Sequence, residues 1–386
     1  MHGRGFHQAQ FCNLQPRYCY RGAALRNRFQ PDMSSRFLPY ILNLRGIAIL
    51  IVVAVHARGN ALSWDAHTGA HTLMSALFDS REGTGTVMFI FIGGFLFQYL
   101  STRGFEFPKY LEKKFLYVIL PYVLISIPII AYRIYTNYTL GLPAGFNDQN
   151  AFYRFGYYLF TGLHLAPFWF ISTIVLFYLS APIFRALDRP SAYRYIFPLL
   201  ILTSFFTYRS EHNANPLLAY IHYFPVYYLG MWTASHRNTI LSLGNRLLIP
   251  LLVVYVGINV GYLTGAIPTP EKVSFEDILA APRLIFNIDL LKALTLCYIA
   301  MLVLCKFSSK RMIFLEVLGE YSFGIYFVHC IVIYPSQNAW AKLAGDVQYS
   351  VISFLLYLAF ILVVSILSVY LVKRLTGRYS RILIGS

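Results

Sequence analysis

The stretch Tyr40-Ile-Leu-Asn-Leu-Arg-Gly-Ile-Ala-Ile-Leu-Ile-Val-Val-Ala-Val-His56 decides the fold, because it is apolar enough to cross a membrane as a helix. Its two ionisable side chains are Arg45 and His56. Ionisable groups inside a membrane helix are functional candidates by default. Eleven positions separate them, which puts both on one stripe of an α-helix, about 16 Å apart along its axis. We therefore predict a first membrane helix that carries two polar groups at two depths.

The composition of the whole chain places the protein in a lipid bilayer. Of its 386 residues, 57% are hydrophobic and only 12% are charged, and its mean hydropathy is +0.55. The hydrophobic fraction is higher, and the charged fraction lower, than in a soluble domain. The net charge of +16 does not indicate a nucleic-acid partner, because the Lys and Arg residues fall between apolar runs and form no basic stripe with interleaved aromatics. We interpret this charge as a topology signal.

Apolar segments near the ~20 residues that a bilayer requires recur along the chain. We predict membrane helices at about 37–57, 85–101, 114–133, 167–187, 194–209, 217–235, 246–266, 284–306, 320–338 and 349–373. The tyrosine-rich stretch 151–166 is a candidate for the membrane interface. The predicted fold is an all-α polytopic membrane protein with about ten transmembrane helices.

The distribution of basic residues predicts the orientation and the domain limits. When the loops are assigned alternately to the two sides, most Lys and Arg residues fall on the side of both termini, and the positive-inside rule places that side in the cytoplasm. We predict a basic, unstructured tail at 1–36, a transmembrane domain at 37–375 and a short cytoplasmic tail at 376–386. Residues 1–36 lack the apolar core of a signal peptide, and a misassigned start, with Met33 as the initiator, is our interpretation of this tail.

The familiar soluble motifs do not occur in the sequence. The five cysteines show no paired metal-ligand spacing and an odd count, so free thiols and no metal site are expected: Cys12, Cys19, Cys297, Cys305 and Cys330. No Gly-rich phosphate loop, H-E-x-x-H or G-x-S-x-G element is present, so phosphate-loop ATPases, zinc proteases and serine hydrolases have no support. The remaining candidates for functional residues are polar side chains inside the helices.

The first helix resembles the signature of the membrane-bound acyltransferase family 3, whose members transfer acyl groups from acyl-CoA to extracytoplasmic sugars. The resemblance spans roughly 36–375 and is most specific at Arg36, Tyr40-Ile41, Leu44–Ala48 and His56. Weaker matches follow in order at Phe89–Leu96, Lys113–Leu116 with Pro121-Tyr122, Phe168–Phe170 with Pro182, and Tyr321–Tyr326 with His329. The resemblance implies one membrane domain that carries out acyl transfer.

Several positions depart from the family pattern. Leu42 stands where relatives usually carry Asp, and Gly93 stands where Ser is common. Lys113, Lys114 and Tyr117 occupy positions where arginines are usual. Because lysine cannot hold phosphate in the bidentate way that arginine does, we expect altered donor binding at this cytoplasmic edge.

The chemistry of O-acylation suggests roles for the polar residues. The reaction requires a base near the acceptor hydroxyl, and the His56 imidazole can take a proton near neutral pH at the outer end of its helix. The resemblance assigns His56 this catalytic role. The simpler alternative is a helix-end histidine bonded to a neighbouring carbonyl. His329 is the second histidine that the resemblance indicates, and Arg36 is a further candidate for the site.

Three cations are candidates for binding the donor. Arg45 needs an anionic partner at its depth, and neither neighbouring turn of its own helix supplies one, so we assign it to the donor rather than to a structural ion pair. Lys113 and Lys114 lie where the phosphates of CoA would approach from the cytoplasm, and we assign both to donor binding as point charges.

The predicted function is transfer of an acetyl or other short acyl group from cytosolic acyl-CoA to a hydroxyl of an extracytoplasmic polysaccharide or its lipid-linked precursor. The family resemblance, and no particular residue, implies the context: the bacterial inner membrane, cellulose or another exopolysaccharide as acceptor, and a polysaccharide synthase complex. No bound cofactor is expected. Two alternatives stay open: a polysaccharide exporter or proton-coupled transporter, and a noncatalytic subunit of the synthase complex. The sequence shows no convincing internal repeat or paired broken helices of a transporter, and a scaffold leaves the stripe of Arg45 and His56 unexplained.

Overall fold

The computed structural model describes residues 38–58, 82–102, 104–138, 142–210, 213–267, 286–344 and 351–385, and within these ranges all regular structure is helical. The α-helices in chain order are α1 Pro39–Arg58, α2 Thr84–Ser101, α3 Phe107–Lys114, α4 Leu120–Tyr135, α5 Ala151–Thr161, α6 Trp169–Leu179, α7 Ala181–Leu187, α8 Phe197–Ser204, α9 Pro216–Ser235, α10 Arg237–Ser242, α11 Gly244–Leu263, α12 Ile288–Lys306, α13 Ile313–Ala344, α14 Val351–Thr376 and α15 Ser380–Ile384. The π-helices Phe115–Ile119 and Ala192–Ile196 and the 3₁₀-helices Phe146–Asp148 and Gly377–Tyr379 complete the regular elements. The predicted all-α membrane fold is confirmed.

Seven helical stretches in the described part of the chain are long and apolar enough to cross a membrane, or eight if the bent pair α6 and α7 forms one span. The predicted count of ten is not confirmed. The segment predicted at 194–209 is a five-residue π-helix followed by the eight-residue α8, which together are too short to span. The segment predicted at 217–235 is the 20-residue helix α9, whose four tyrosines and one histidine reduce its hydropathy.

Two helices extend well beyond their predicted apolar segments. The helix predicted at 114–133 begins at Phe107, because the charged turn that contains Lys113 and Lys114 continues through a π-helical turn into α4. The helix predicted at 320–338 covers Ile313–Ala344.

The predicted span 167–187 bends by 56° between α6 and α7. Pro182 lies in the first turn of α7, where a missing N–H is tolerated and a new helix direction can start.

Helices α1 and α13 lie in close backbone contact. A Cβ added to Gly46 would overlap the backbone oxygen of Leu315, and one added to Gly319 would overlap that of Leu42. Small residues at such contacts let membrane helices approach closely, which favours packing in a medium as apolar as the side chains themselves. Further along, Arg45 meets Ser322 and His56 meets His329, so residue numbers rise together and α1 and α13 run parallel.

A second close contact joins α2 and α9 at the centre of the core. A Cβ on Gly94 would overlap the backbone oxygen of Tyr227, and a Cβ on Gly230 would overlap that of Phe91. Phe91, Phe95 and Tyr227 are almost fully buried around this crossing. The crossing therefore depends on two reciprocal glycines, one in each helix.

We expect Gly94→Ala and Gly230→Ala to destabilise the protein by about 1–3 kcal/mol each, because the added methyl group meets backbone that cannot rotate away. Gly257→Ala is the matched control, since a Cβ there meets nothing within 4 Å. Thermal unfolding of the three purified variants in one detergent measures the effect. Equal melting temperatures for all three would show that the α2–α9 crossing is not tightly packed.

Candidate functional site

A cavity of about 620 Å³ opens between α1, α2, α3, α6 and α13. Four cations line it, namely Arg45, Lys109, Lys113 and Lys114. Its other walls are mainly apolar and aromatic and include Phe89, Phe170, Tyr178, Tyr227 and Tyr326. A volume of this size lies in the range of small-molecule sites, which typically measure ~300–1,000 Å³ and combine apolar walls with a few polar groups. The cavity suits an extended ligand with a charged end and an apolar arm.

Arg45 reaches the cavity from the first half of α1 and is half buried. Its Nη2 donates a hydrogen bond of 2.8 Å to Ser322 Oγ on α13, and that hydroxyl donates to Gly319 O at 2.9 Å. This hydrogen bond orients the guanidinium. The Ser322 hydroxyl is neutral, so it does not balance the positive charge of Arg45. Arg45 is therefore positioned on the cavity wall with donor capacity for an anion.

Lys113 and Lys114 lie at the end of α3, just before the π-helix Phe115–Ile119. The Lys114 Nζ atom lies 4.7 Å from the centroid of the Tyr178 ring and 5.3 Å from that of Tyr110, which are cation–π distances. Lys113 is exposed at the cavity rim. Lys114 therefore packs against two tyrosine rings and also brings a positive charge to the cavity, whereas Lys113 contributes mainly its charge.

His56 and His329 face each other from α1 and α13. Their ring centroids are 5.3 Å apart, with planes inclined by 48°. His329 is fully buried, and its Nδ1 lies 3.0 Å from Ile325 O, so Nδ1 carries the proton. Its Nε2 is buried with no hydrogen-bond partner among the described residues. The pair therefore presents an unused imidazole nitrogen between the two helices.

Tyr326 connects the cavity to the histidine pair. Its side chain lines the cavity, and its ring centroid lies 6.1 Å from that of His329. The Tyr326 hydroxyl donates to Pro167 O, which fixes the ring against the start of α6. Tyr326 therefore stands between the cavity and the His56–His329 pair.

A second buried polar group surrounds Glu82, immediately before α2. The Glu82 carboxylate accepts from His222 Nε2 at 2.7 Å and from Asn287 Nδ2 at 2.8 Å, and Arg209 Nε lies 3.6 Å away. The Tyr223 hydroxyl donates to Glu82 O at 2.8 Å. Burial by itself would raise the pKa of Glu82, but the interactions with His222, Arg209 and Asn287 outweigh it and hold the pKa at about 2. This cluster joins the beginnings of α2 and α12 to α9.

The comparisons with known proteins agree with this architecture. A sequence model described as "Acyltransferase domain" matches residues 38–374, which is most of the chain. The chain belongs to acyltransferase family 3. No curated protein and no solved structure matches it. The protein is thus a membrane acyltransferase at the level that the family defines.

The structure of this acyltransferase sorts the predicted site residues into two groups. Arg45, Lys113 and Lys114 share the cavity, and His56 lies beside His329 outside the cavity lining. Arg36 lies outside the described residues. The separation between the two groups follows from the rise along α1, which the sequence already predicted.

Two features of the structure were not predicted from the sequence, the Glu82 cluster and the position of Cys330. Glu82 precedes a strongly apolar helix and His222 lies in another, and a buried acid and histidine near such helices need partners. Cys330 follows His329 directly in the sequence. Each of Cys330, His329 and His56 offers one possible metal-ligand atom, and these three atoms lie within 4.8 Å of one another. No spacing in the sequence could indicate this cluster, because its members come from two distant helices.

We expect Glu82→Gln to lower the free energy of unfolding by about 3 kcal/mol at neutral pH, because a neutral amide replaces the buried carboxylate that accepts from His222 and Asn287. The depressed pKa makes the Glu82 contribution fully present above pH ~4.5 and lost as the pH falls toward about 2. Thermal unfolding at pH 7 and near pH 3 should therefore show the variant converging on the wild type in acid.

The matched control is Glu106→Gln, which removes an exposed partner of Lys109 at 2.8 Å and should cost less than about 0.5 kcal/mol. A Glu82→Gln protein as stable as this control at pH 7 would contradict the stabilising role of the cluster.

Proposed function

We propose that this acyltransferase moves an acetyl or other short acyl group from cytosolic acyl-CoA to a hydroxyl of an extracytoplasmic polysaccharide or its lipid-linked precursor. One observation carries the proposal: Tyr326 lines the cavity that carries the cations, and its ring lies beside the His56–His329 pair. The charged donor would bind near Arg45, and its acyl group would meet the neutral acceptor near His56. We further propose the bacterial inner membrane as the location, with both termini in the cytoplasm.

The cavity suits the two chemically different parts of acyl-CoA. Lys113 and Lys114 would attract the phosphates at the rim as point charges, and Arg45 would hold the donor deeper in the cavity. The aromatic and aliphatic walls would bury the thioester arm, which carries no net charge. The π-helical turn after Lys114 fits this role, because π-bulges in α-helices are frequent at functional sites.

In the proposed reaction His56 acts as the general base. It takes the proton of the acceptor hydroxyl while the hydroxyl oxygen attacks the thioester carbonyl carbon. The carbon–sulfur bond then breaks, and the CoA thiolate receives the proton from the imidazolium. The products are an ester and free CoA. Arg45 lies about 16 Å along the helix from His56, so it binds the donor and does not touch the transferred proton.

The proposed acceptor is a glycan hydroxyl of an exopolysaccharide, with bacterial cellulose as one example that rests on the family resemblance. His56 is only partly buried, near the C-terminal end of α1. An acceptor that arrives from outside the cytoplasm would meet it there without crossing the membrane. Association with a polysaccharide synthase complex would supply such an acceptor.

For the donor site, we expect Lys113→Gln to raise the KM for acyl-CoA about tenfold with little change in kcat, because an exposed charge that attracts phosphate contributes uniform binding. Lys114→Gln should have a larger effect, because it also removes the contacts to Tyr110 and Tyr178. Steady-state kinetics of the purified variants across acyl-CoA concentrations measure both.

Lys306→Gln is the control for these variants, since this exposed lysine ends α12 outside the cavity lining. A KM for acyl-CoA that changes equally in Lys113→Gln and Lys306→Gln would place the donor elsewhere.

For the base, we expect His56→Ala to lower acyl transfer by roughly 10²–10⁴-fold while acyl-CoA binding survives. Arg45→Ala should instead weaken acyl-CoA binding. The measurements are the ester content of the extracytoplasmic glycan, by alkaline release, and equilibrium binding of acyl-CoA to each purified protein.

His236→Ala is the control, because His236 is an exposed histidine at the end of α9. Unchanged ester content in His56→Ala cells with wild-type protein levels would exclude the catalytic role and favour an exporter or a noncatalytic subunit.

A further inference from the structure

The cluster of His56, His329 and Cys330 has the composition of a metal site. Each residue offers one ligand atom, and these atoms lie within 4.8 Å of one another. Around a tetrahedral zinc ion the ligand atoms are about 3–4 Å apart, so a side-chain adjustment of about 1 Å would close them on an ion. Imidazole nitrogen and thiolate sulfur are the ligands that zinc prefers, whereas Mg²⁺ and Ca²⁺ prefer oxygen.

The hydrogen bond of His329 prepares it as a ligand. Its Nδ1–H donates to Ile325 O at 3.0 Å, which leaves the lone pair of Nε2 free. Histidines that bind metals in proteins almost always donate their other ring N–H to a carbonyl or a carboxylate in this way. The Nε2 atom is also fully buried without a partner among the described residues, which costs about 1–3 kcal/mol until a partner is supplied.

Cys330 and His56 complete the site from two sides. Cys330 follows His329 on α13 and is 1% exposed, so its thiol is protected within the contact between α1 and α13. His56 is partly exposed and gives the site access to an ion from outside the helix pair. Three protein ligands leave one position of a tetrahedral ion open for water.

We propose that His56, His329 and Cys330 form a zinc site whose occupation inhibits this acyltransferase reversibly. Zinc would take the imidazole lone pair of His56, and the Cys330 thiol would release its proton to solvent on binding. With its lone pair coordinated, His56 could not accept a proton from an acceptor hydroxyl. Zinc binding does not depend on the proposed function, but inhibition rests on the role of His56 as the base.

The test of binding uses Zn²⁺ alone on the full-length protein, purified with a chelator and kept reduced. We expect one Zn²⁺ per chain by equilibrium dialysis, and at least tenfold weaker binding in Cys330→Ala and His329→Gln. Cys297→Ala is the matched control, because Cys297 is an equally buried free thiol on α12 outside the cluster. Mg²⁺ should not compete.

A spectroscopic measurement keeps the binding test independent of any loss of stability. Co²⁺ in place of Zn²⁺ should give a thiolate charge-transfer band in the wild type and in Cys297→Ala, and the band should be absent in Cys330→Ala. Thermal unfolding checks that each variant is folded. Failure of the folded wild type to bind Zn²⁺, or equal binding by Cys330→Ala and Cys297→Ala, would overturn the proposed site.

The test of inhibition measures acyl transfer with and without Zn²⁺. We expect Zn²⁺ to inhibit the wild type and Cys297→Ala, with full recovery after chelation, and Cys330→Ala to need at least tenfold more Zn²⁺ at unchanged basal activity. Zinc that binds the cluster without inhibiting would overturn the inhibitory role and also the assignment of His56 as the base. An enzyme that transfers no acyl group but binds zinc would overturn only the proposed function.

Discussion

The close contact between α1 and α13 is the constraint on which the site depends. Lipid tails are as apolar as leucine, so membrane helices associate through close packing and hydrogen bonds and gain no hydrophobic drive. Gly46 and Gly319 allow the two backbones to meet. The same contact brings Arg45 to Ser322 and His56 to His329. A shift of one helix by a single turn would break both pairs, so one packing interface sets the site at both depths.

The two depths separate two kinds of chemistry. Charged groups are costly within the membrane, and here the cations gather at the cavity, where Lys114 is held between two tyrosines and Arg45 bonds a hydroxyl. The histidine pair lies beyond Tyr326, away from these cations. The distance along α1 therefore separates the cations of the cavity from the histidine pair.

The Glu82 cluster supports the same site from another direction. Its Arg209 guanidinium lies 4.9 Å from the centroid of the Trp169 ring. The neighbouring Phe170 lines the cavity, and its ring centroid lies 5.8 Å from that of Tyr326. Two buried donors on the Glu82 carboxylate and a third on its backbone carbonyl fix helix ends that lipid contacts alone would leave free to slide. The start of α6 is therefore held between the charged cluster and the cavity.

The sequence alone determined the features that depend on local periodicity and hydropathy. An apolar run of about 20 residues must form a helix in a bilayer, because each backbone polar group needs a partner within the segment. The all-α fold followed from this rule, as did the stripe that carries Arg45 and His56. The family resemblance at the first helix predicted membership of acyltransferase family 3, which the match over 38–374 shows.

The tertiary structure decided what depends on contacts between distant segments. A count of apolar residues did not predict three features of the fold. These are the bend after Leu179, the extension of α3 through charged residues, and the burial of α9 despite its low hydropathy. The positions of Cys330 and Glu82 beside their partners depend on how helices pack, and helix periodicity specifies only which residues share a face. Sequence therefore determined which polar groups lie in the membrane, whereas packing determined which of them meet, because close backbone contacts between helices fix their register.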